Sequence, residues 1–145
     1  MVHYFFDFDG FLIDTAKLEP IRKTQEGRNY LDGGGGLSET KIIDASLLSV
    51  LNDLHSRRKV SIVTNAPANQ VRLILNYHFG QNDIPIFGSA NKPFSFGLDS
   101  ALRQQGVNPD QALMIGDASN DILAAHGSKI ASAGVTWGYN RRDQL

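Results

Sequence analysis

The chain contains no cysteine, which removes disulfides, thiolate nucleophiles and zinc–thiolate centres at once. Net charge is nearly absent as well, formally −1, so no global field draws the protein to nucleic acid or a membrane surface. Any basic site is therefore local. Long apolar runs are also missing. The N-terminal stretch is broken by Asp7 and Asp9, too soon for a signal-peptide core or a spanning helix. A soluble cytoplasmic protein with no membrane partner is the expectation. What is present, 41% hydrophobic and 20% charged residues over 145 positions, suits one globular domain with a real core.

Five short apolar runs read as strands: Val2–Phe8, Val60–Thr64, Ile84–Phe87, Ala112–Gly116 and Lys129–Val135. Between them lie segments with helical periodicity, marked by Leu47, Leu48, Leu51 and Leu54, by Val71, Leu73, Ile74 and Leu75, by Leu98, Ala101 and Leu102, and by Ile122, Leu123 and Ala125. Strands alternating with helices indicate βαβ units. The expected fold class is α/β, a doubly wound, Rossmann-like parallel sheet with helices on both faces. Ligands of such sheets bind beyond the carboxyl ends of the strands.

Four polar elements fall at or just beyond such ends. Asp7-Phe8-Asp9-Gly10 follows the first run, and alternation along a strand predicts that Asp7 and Asp9 reach into one small volume. Two carboxylates so close need a cation or a proton. A calcium loop starting at Asp7 fails, because its twelfth position is Leu18. Thr64-Asn65 reads either as a neutral anion-binding corner or as a turn leading into the helix near Pro67. Lys92-Pro93 precedes a helix, where the ammonium is either solvated or aimed inward. In Gly116-Asp117-Ala118-Ser119-Asn120-Asp121, Asp117 ends a buried strand and Asp121 suits a first helical turn. His3, His55, His78 and His126 lack ligand spacing and read as structural.

Together DFDGFLIDT, IVTN, KP and GDASND, in this order, resemble the haloacid dehalogenase superfamily of aspartate-nucleophile hydrolases. The tail GVTWGY, Gly134 to Tyr139, is similar to its phosphoglycolate-phosphatase-like branch. The resemblance implies a phosphomonoester hydrolase working through an aspartyl-phosphate. It makes Asp7 the nucleophile and Asp9 the acid and then the base. Thr64 and Lys92 complete the catalytic set, with Asp9, Gly10, Thr64, Asn65 and Lys92 around the phosphate. It also implies Mg²⁺ held by Asp7, the Asp9 carbonyl and Asp117, with Asp121 orienting its waters. Dehalogenases of the superfamily lack an acid at the Asp9 position, so the same residue favours phosphoryl transfer.

Helical caps in this superfamily lie between the first and second motifs. Here that interval also holds a core helix from about Asp44 to Arg57, which leaves little for a lid. The expectation is a single domain over 1–145, with 15–39 a reduced cap or linker containing a short helix (Thr15 to about Arg28) or a loop. Gly33–Gly36 reads as a flexible linker, native or left by a deleted cap, rather than a phosphate loop. Such an open site admits a small phosphorylated molecule, and also a protein or nucleic-acid phosphate meeting Arg22, Lys23 and Arg28. Interspersed Glu19 and Glu26 favour a solvated helix face for those arginines instead. The end of the chain at Leu145 leaves a sheet edge where a homodimer is expected to be possible. A non-catalytic binding or scaffold domain is the competing class.

Overall fold

In a computed structural model, which describes residues 2–135, the alternating runs form a five-stranded parallel sheet. The strands are β1 (His3–Phe6), β2 (Ile13–Asp14), β3 (Lys41–Ile42), β4 (Val60–Val63), β5 (Ile86–Phe87), β6 (Ala112–Gly116) and β7 (Ala131–Gly134). The helices are α1 (Gln25–Asp32), α2 (Ala45–Ser56), α3 (Ala68–Phe79), α4 (Phe96–Gln105) and α5 (Ser119–Gly127). The order is β5-β4-β1-β6-β7, while β2 and β3 make a separate antiparallel pair. From β1 the chain winds outward through β4 and β5, then returns to the other side of β1 with β6 and β7. The reversal puts a topological switch point at the carboxyl end of β1, where crevices form in open α/β sheets.

Alternation along the strands splits the core into two layers. Phe6 and Ile62 join Leu51, Val71, Ile74 and Leu75 of α2 and α3 on one face. Phe5, Val63 and Met114 join Leu98, Ala101, Leu102, Ala124 and Ala125 of α4 and α5 on the other. Local signals set the helix ends. Asp44 caps α2 by accepting from the Ser46 N–H at 2.9 Å, and left-handed Gly106 (φ 65°) ends α4.

Several boundaries differ from the sequence expectation: β5 starts at Ile86 rather than Ile84, β7 covers Ala131–Gly134 rather than Lys129–Val135, and two further differences bear on the site. β1 stops at Phe6, because the Phe8 carbonyl accepts from Phe11, Leu12 and Ile13 in a turn that needs Gly10 at φ 72°. Asp7 and Asp9 therefore do not share a strand face. The segment expected to be a helix from Thr15 to about Arg28, or a loop, begins with two 3-10 turns, Ala16–Leu18 and Ile21–Lys23, and becomes α-helical only in α1. Thr24 caps α1 by accepting from the Gly27 N–H at 2.9 Å. Gly33–Gly36 winds the chain off the end of α1: Gly35 donates to the Tyr30 carbonyl, and a Cβ on Gly35 would overlap the Tyr30 ring. Leu18 and Leu31 are buried, and Asp32 accepts from Asn69 and Gln70 of α3, so the segment is pinned to the core.

Among the described residues no helix is long and apolar enough to cross a membrane. Trp137, Gly138, Tyr139 and the chain end lie outside the described residues.

Candidate active site

The carboxyl ends of β1, β4 and β6 converge on a cleft of about 330 Å³ lined by Asp7, Asp9, Glu19, Thr64, Asn65, Lys92 and Asp121. Sheet register explains the convergence. Phe6 pairs with both Ile62 and Ile115, so Asp7, Thr64 and Asp117 follow neighbouring strands at nearly one level. The ladder runs one step further where the Asp7 N–H donates to the Ile115 carbonyl at 3.0 Å.

At the centre is a buried ammonium. Lys92 Nζ donates to Asp7 Oδ1 at 2.9 Å, to the Val63 carbonyl at 3.0 Å and to Asp121 Oδ1. Its backbone is fixed from both sides by the Asn65 side chain, which accepts from the Lys92 N–H at 2.7 Å and donates to the Lys92 carbonyl at 3.1 Å. Burial opposes the ammonium's charge, but Asp7 and Asp121 outweigh it and raise the Lys92 pKa above its ordinary value. Burial, with repulsion from Asp7, pushes the Asp121 carboxyl up to about 7, against the opposing pull of Lys92. Asp121 lies in the first turn of α5 and also accepts from the Ala118 N–H at 3.2 Å.

Asp7, Asp117 and Asp121 each offer a carboxylate oxygen, all within 4.8 Å of one another, and all three residues are buried. Buried carboxylates so close repel unless a cation joins them. Lys92 touches two of them. An all-oxygen set with carboxylates in excess suits a hard divalent cation and not a thiolate or imidazole metal. The buried acidic group can thus hold a metal ion.

Thr64 follows β4 with its N–H already donating to Phe87, and its Oγ1 accepts from the Ala66 N–H at 3.2 Å. The turn reading of Thr64 is therefore realised, and its hydroxyl hydrogen remains a donor in the cleft. Gly10 donates its N–H to the Ile13 carbonyl at 2.8 Å. His3, His55 and His78 bind Ser61, Asp83 and Thr40, away from the cleft residues.

Asp9 lines the same cleft but is held differently. Thr15 Oγ1 donates to Asp9 Oδ1 at 2.8 Å, and Arg22 donates to both oxygens, Nη1 to Oδ2 at 2.9 Å and Nη2 to Oδ1 at 3.2 Å. Arg22 is thus no solvated face residue, as its charged neighbours suggest in the sequence. It comes inward because the 3-10 turn over Ile21–Lys23 aims it at the cleft. No periodic signal marks such a turn, so neither this contact nor that of Thr15 is readable from spacing.

The chain is thus a parallel α/β protein with an acid-and-lysine cluster at its switch point. A family model for haloacid dehalogenase-like hydrolases matches residues 39–135, and the chain belongs to that family. The match begins beyond Asp7 and Asp9, which rest on the geometry above. The chain is 30% identical over 145 residues to the phosphoglycolate phosphatase of Aliivibrio fischeri, covering 96% of this chain and 60% of that one. It is 39% identical over 92 residues to that of Colwellia psychrerythraea, covering 60% and 41%. The chain spans about half the length of the curated relatives it matches. In fold it is similar to a haloacid dehalogenase-like family hydrolase of Streptococcus pneumoniae, with a TM-score of 0.79 at 19% identity over 100% of this chain and 89% of that one.

Proposed function

We propose that the protein is a phosphatase that hydrolyses a small phosphomonoester through an aspartyl-phosphate on Asp7. The observation that carries this reading is the buried contact of Lys92 with both Asp7 and Asp121, in a cleft that also holds Thr64 and Asp9. A scaffold domain has no need to bury such a set of like charges. The names of the curated relatives support the same reaction class.

In the first step an Asp7 oxygen forms a bond to phosphorus, and the ester P–O bond breaks. Asp9, entering this step protonated and released from part of its contact with Arg22, gives its proton to the leaving alkoxide. Water then attacks the aspartyl-phosphate and gives its proton to Asp9, so inorganic phosphate leaves and Asp7 is regenerated. Lys92 moderates repulsion between the Asp7 carboxylate and the incoming phosphate, and Thr64 donates its hydroxyl hydrogen to a phosphoryl oxygen. Asn65 holds Lys92 in register, and Gly10 supplies the turn that brings Asp9 back to the cleft. Asp7, Asp117 and Asp121, with the Asp9 carbonyl, would hold Mg²⁺, which would neutralise phosphate charge and orient the group for in-line attack. Residues 15–39 act in this reading as a reduced cap.

The test is phosphate release from a panel of aryl and small alkyl phosphates with and without Mg²⁺, with Asp7→Asn alongside. Turnover by the wild type and none by the variant is the expected result. An inactive wild type whose thermal stability also ignores beryllium fluoride would favour the non-catalytic binding domain.

A further inference from the structure

Beside the reaction cleft lies a second one of about 300 Å³, whose wall includes Asp9, Glu19, Arg22, Arg28 and Asn65. Asp9, Glu19 and Asn65 line both, so the two spaces adjoin at Asp9, and a molecule with its phosphoryl group at Asp7 has room to extend toward the second. What it meets there is Arg22, with Arg28 on the same wall. Each terminal nitrogen of Arg22 spends one hydrogen on Asp9 and keeps another.

Local structure is built to hold Arg22 at this junction. Gly27 sits so close to the turn over Ile21–Lys23 that a Cβ there would overlap the Ile21 carbonyl oxygen. Arg28 Nη1 donates to the Arg22 carbonyl at 3.1 Å, and its Nη2 donates to Gln25 at 3.2 Å. The turn is thus clamped between α1 and the cleft. The bidentate fork of a guanidinium matches carboxylate and phosphate oxygens, and it already grips a carboxylate here.

We infer that Arg22, backed by Arg28, is the subsite for a second anionic group, a carboxylate or a phosphate, on the leaving-group side of the substrate. This rests on the phosphatase reading for the place of the first phosphate. On binding, Arg22 exchanges part of its contact with Asp9 for the substrate's anion. Glu19, exposed on the shared wall, repels that anion and tempers the preference.

The experiment compares kcat/KM for ethyl phosphate, a two-carbon phosphorylated carboxylate and a short-chain bisphosphate, in wild type, Arg22→Gln, Arg28→Gln and Glu19→Gln. The wild type is expected to favour at least one anionic substrate over ethyl phosphate. Arg22→Gln is expected to cut that ratio about 10- to 100-fold, the scale of a lost charge-assisted hydrogen bond. Arg28→Gln should cut it less, and Glu19→Gln should raise it. Whichever anionic substrate carries the preference identifies a carboxylate or a phosphate as the second group. Calorimetric binding of 3-phosphonopropionate against propylphosphonate needs no turnover and separates the two claims. If nothing is hydrolysed but the wild type binds 3-phosphonopropionate more tightly, and Arg22→Gln does not, the phosphatase reading fails and the subsite stands. Equal ratios in wild type and Arg22→Gln, in turnover or where none occurs in binding, overturn the subsite.

Discussion

Lys92 and Asp7 form a buried ion pair at 2.9 Å, their side chains only 4% and 8% exposed. Removing one partner of such a pair leaves a charge stranded in a low dielectric, at a cost of about 3–5 kcal/mol. Lys92→Met strands the acidic group in this way. It is expected to lower stability to urea by about that amount and to regain part of it with Mg²⁺. Phosphate release should fall by about two to three orders of magnitude. Urea unfolding with and without the ion checks the first part, and unchanged stability would show that Lys92 does not compensate these carboxylates.

Asp7→Asn also removes a partner of the pair, but Lys92 keeps Asp121 and the Val63 carbonyl, so its cost is smaller than that of Lys92→Met. Repulsion from Asp7 helps push Asp121 up to about 7, so a neutral amide relieves it. The variant should lose less stability to urea than Lys92→Met does, while losing detectable turnover. Loss of turnover accompanied by loss of fold would leave Asp7 a structural residue.

Ion binding is predicted to be visible without any substrate. A ligand present at about 100 times its Kd stabilises by about 2.7 kcal/mol, several degrees in melting temperature for a domain of this size. Mg²⁺ should raise the wild-type Tm and a chelator should reverse it. Asp117→Asn and Asp121→Asn should each remove most of the response. An ion-induced shift that survives both substitutions would move the binding site elsewhere.

These expectations rest on features that differ in how far the sequence exposes them. The runs Val60–Thr64 and Ala112–Gly116 are apolar enough to read as buried strands. Topology then brings Thr64, Asp117 and Asp7 to one rim, because β4 and β6 flank β1. Lys92 is inward because Asn65 clips its backbone, a contact between residues 27 positions apart that follows from the order of the motifs. Arg22 is different. Its hold on Asp9 depends on a 3-10 turn, on Gly27 allowing α1 to press against it, and on a strand ending two residues early. None of these leaves a periodic trace, so charge pattern alone places Arg22 in solvent.

Gly116 offers a way to disturb Asp121 without touching its chemistry. A Cβ at this position would overlap the Asp121 carboxylate. Gly116→Ala leaves strand β6 acceptable in backbone terms but displaces the carboxylate from Lys92 and from the acidic group. The Mg²⁺-induced rise in Tm is expected to shrink while the circular dichroism spectrum stays that of the wild type. A full response to the ion would mean that Asp121 does not need its present position to support binding.

His3 gives the fold a pH dependence separate from the site. It is hydrogen-bonded to Ser61 at 2.9 Å, and burial, aided by Lys59, lowers its pKa from 6.5 to about 4. As pH falls through 6.5 the unfolded chain takes up a proton that the folded chain refuses until about 4. Stability contributed by neutral His3 is therefore full above 6.5 and lost progressively down to 4, by up to about 3 kcal/mol. Asp121 works the other way over part of this range: its raised pKa makes the folded state the better proton acceptor. The informative quantity is thus the stability difference between wild type and His3→Gln, measured by urea unfolding in chelator from pH 7.5 to 4.5. That difference should move against the wild type as pH falls, because only the wild type carries the refused proton. A gap constant across the range would mean that His3 is as easily protonated in the folded chain as in the unfolded one.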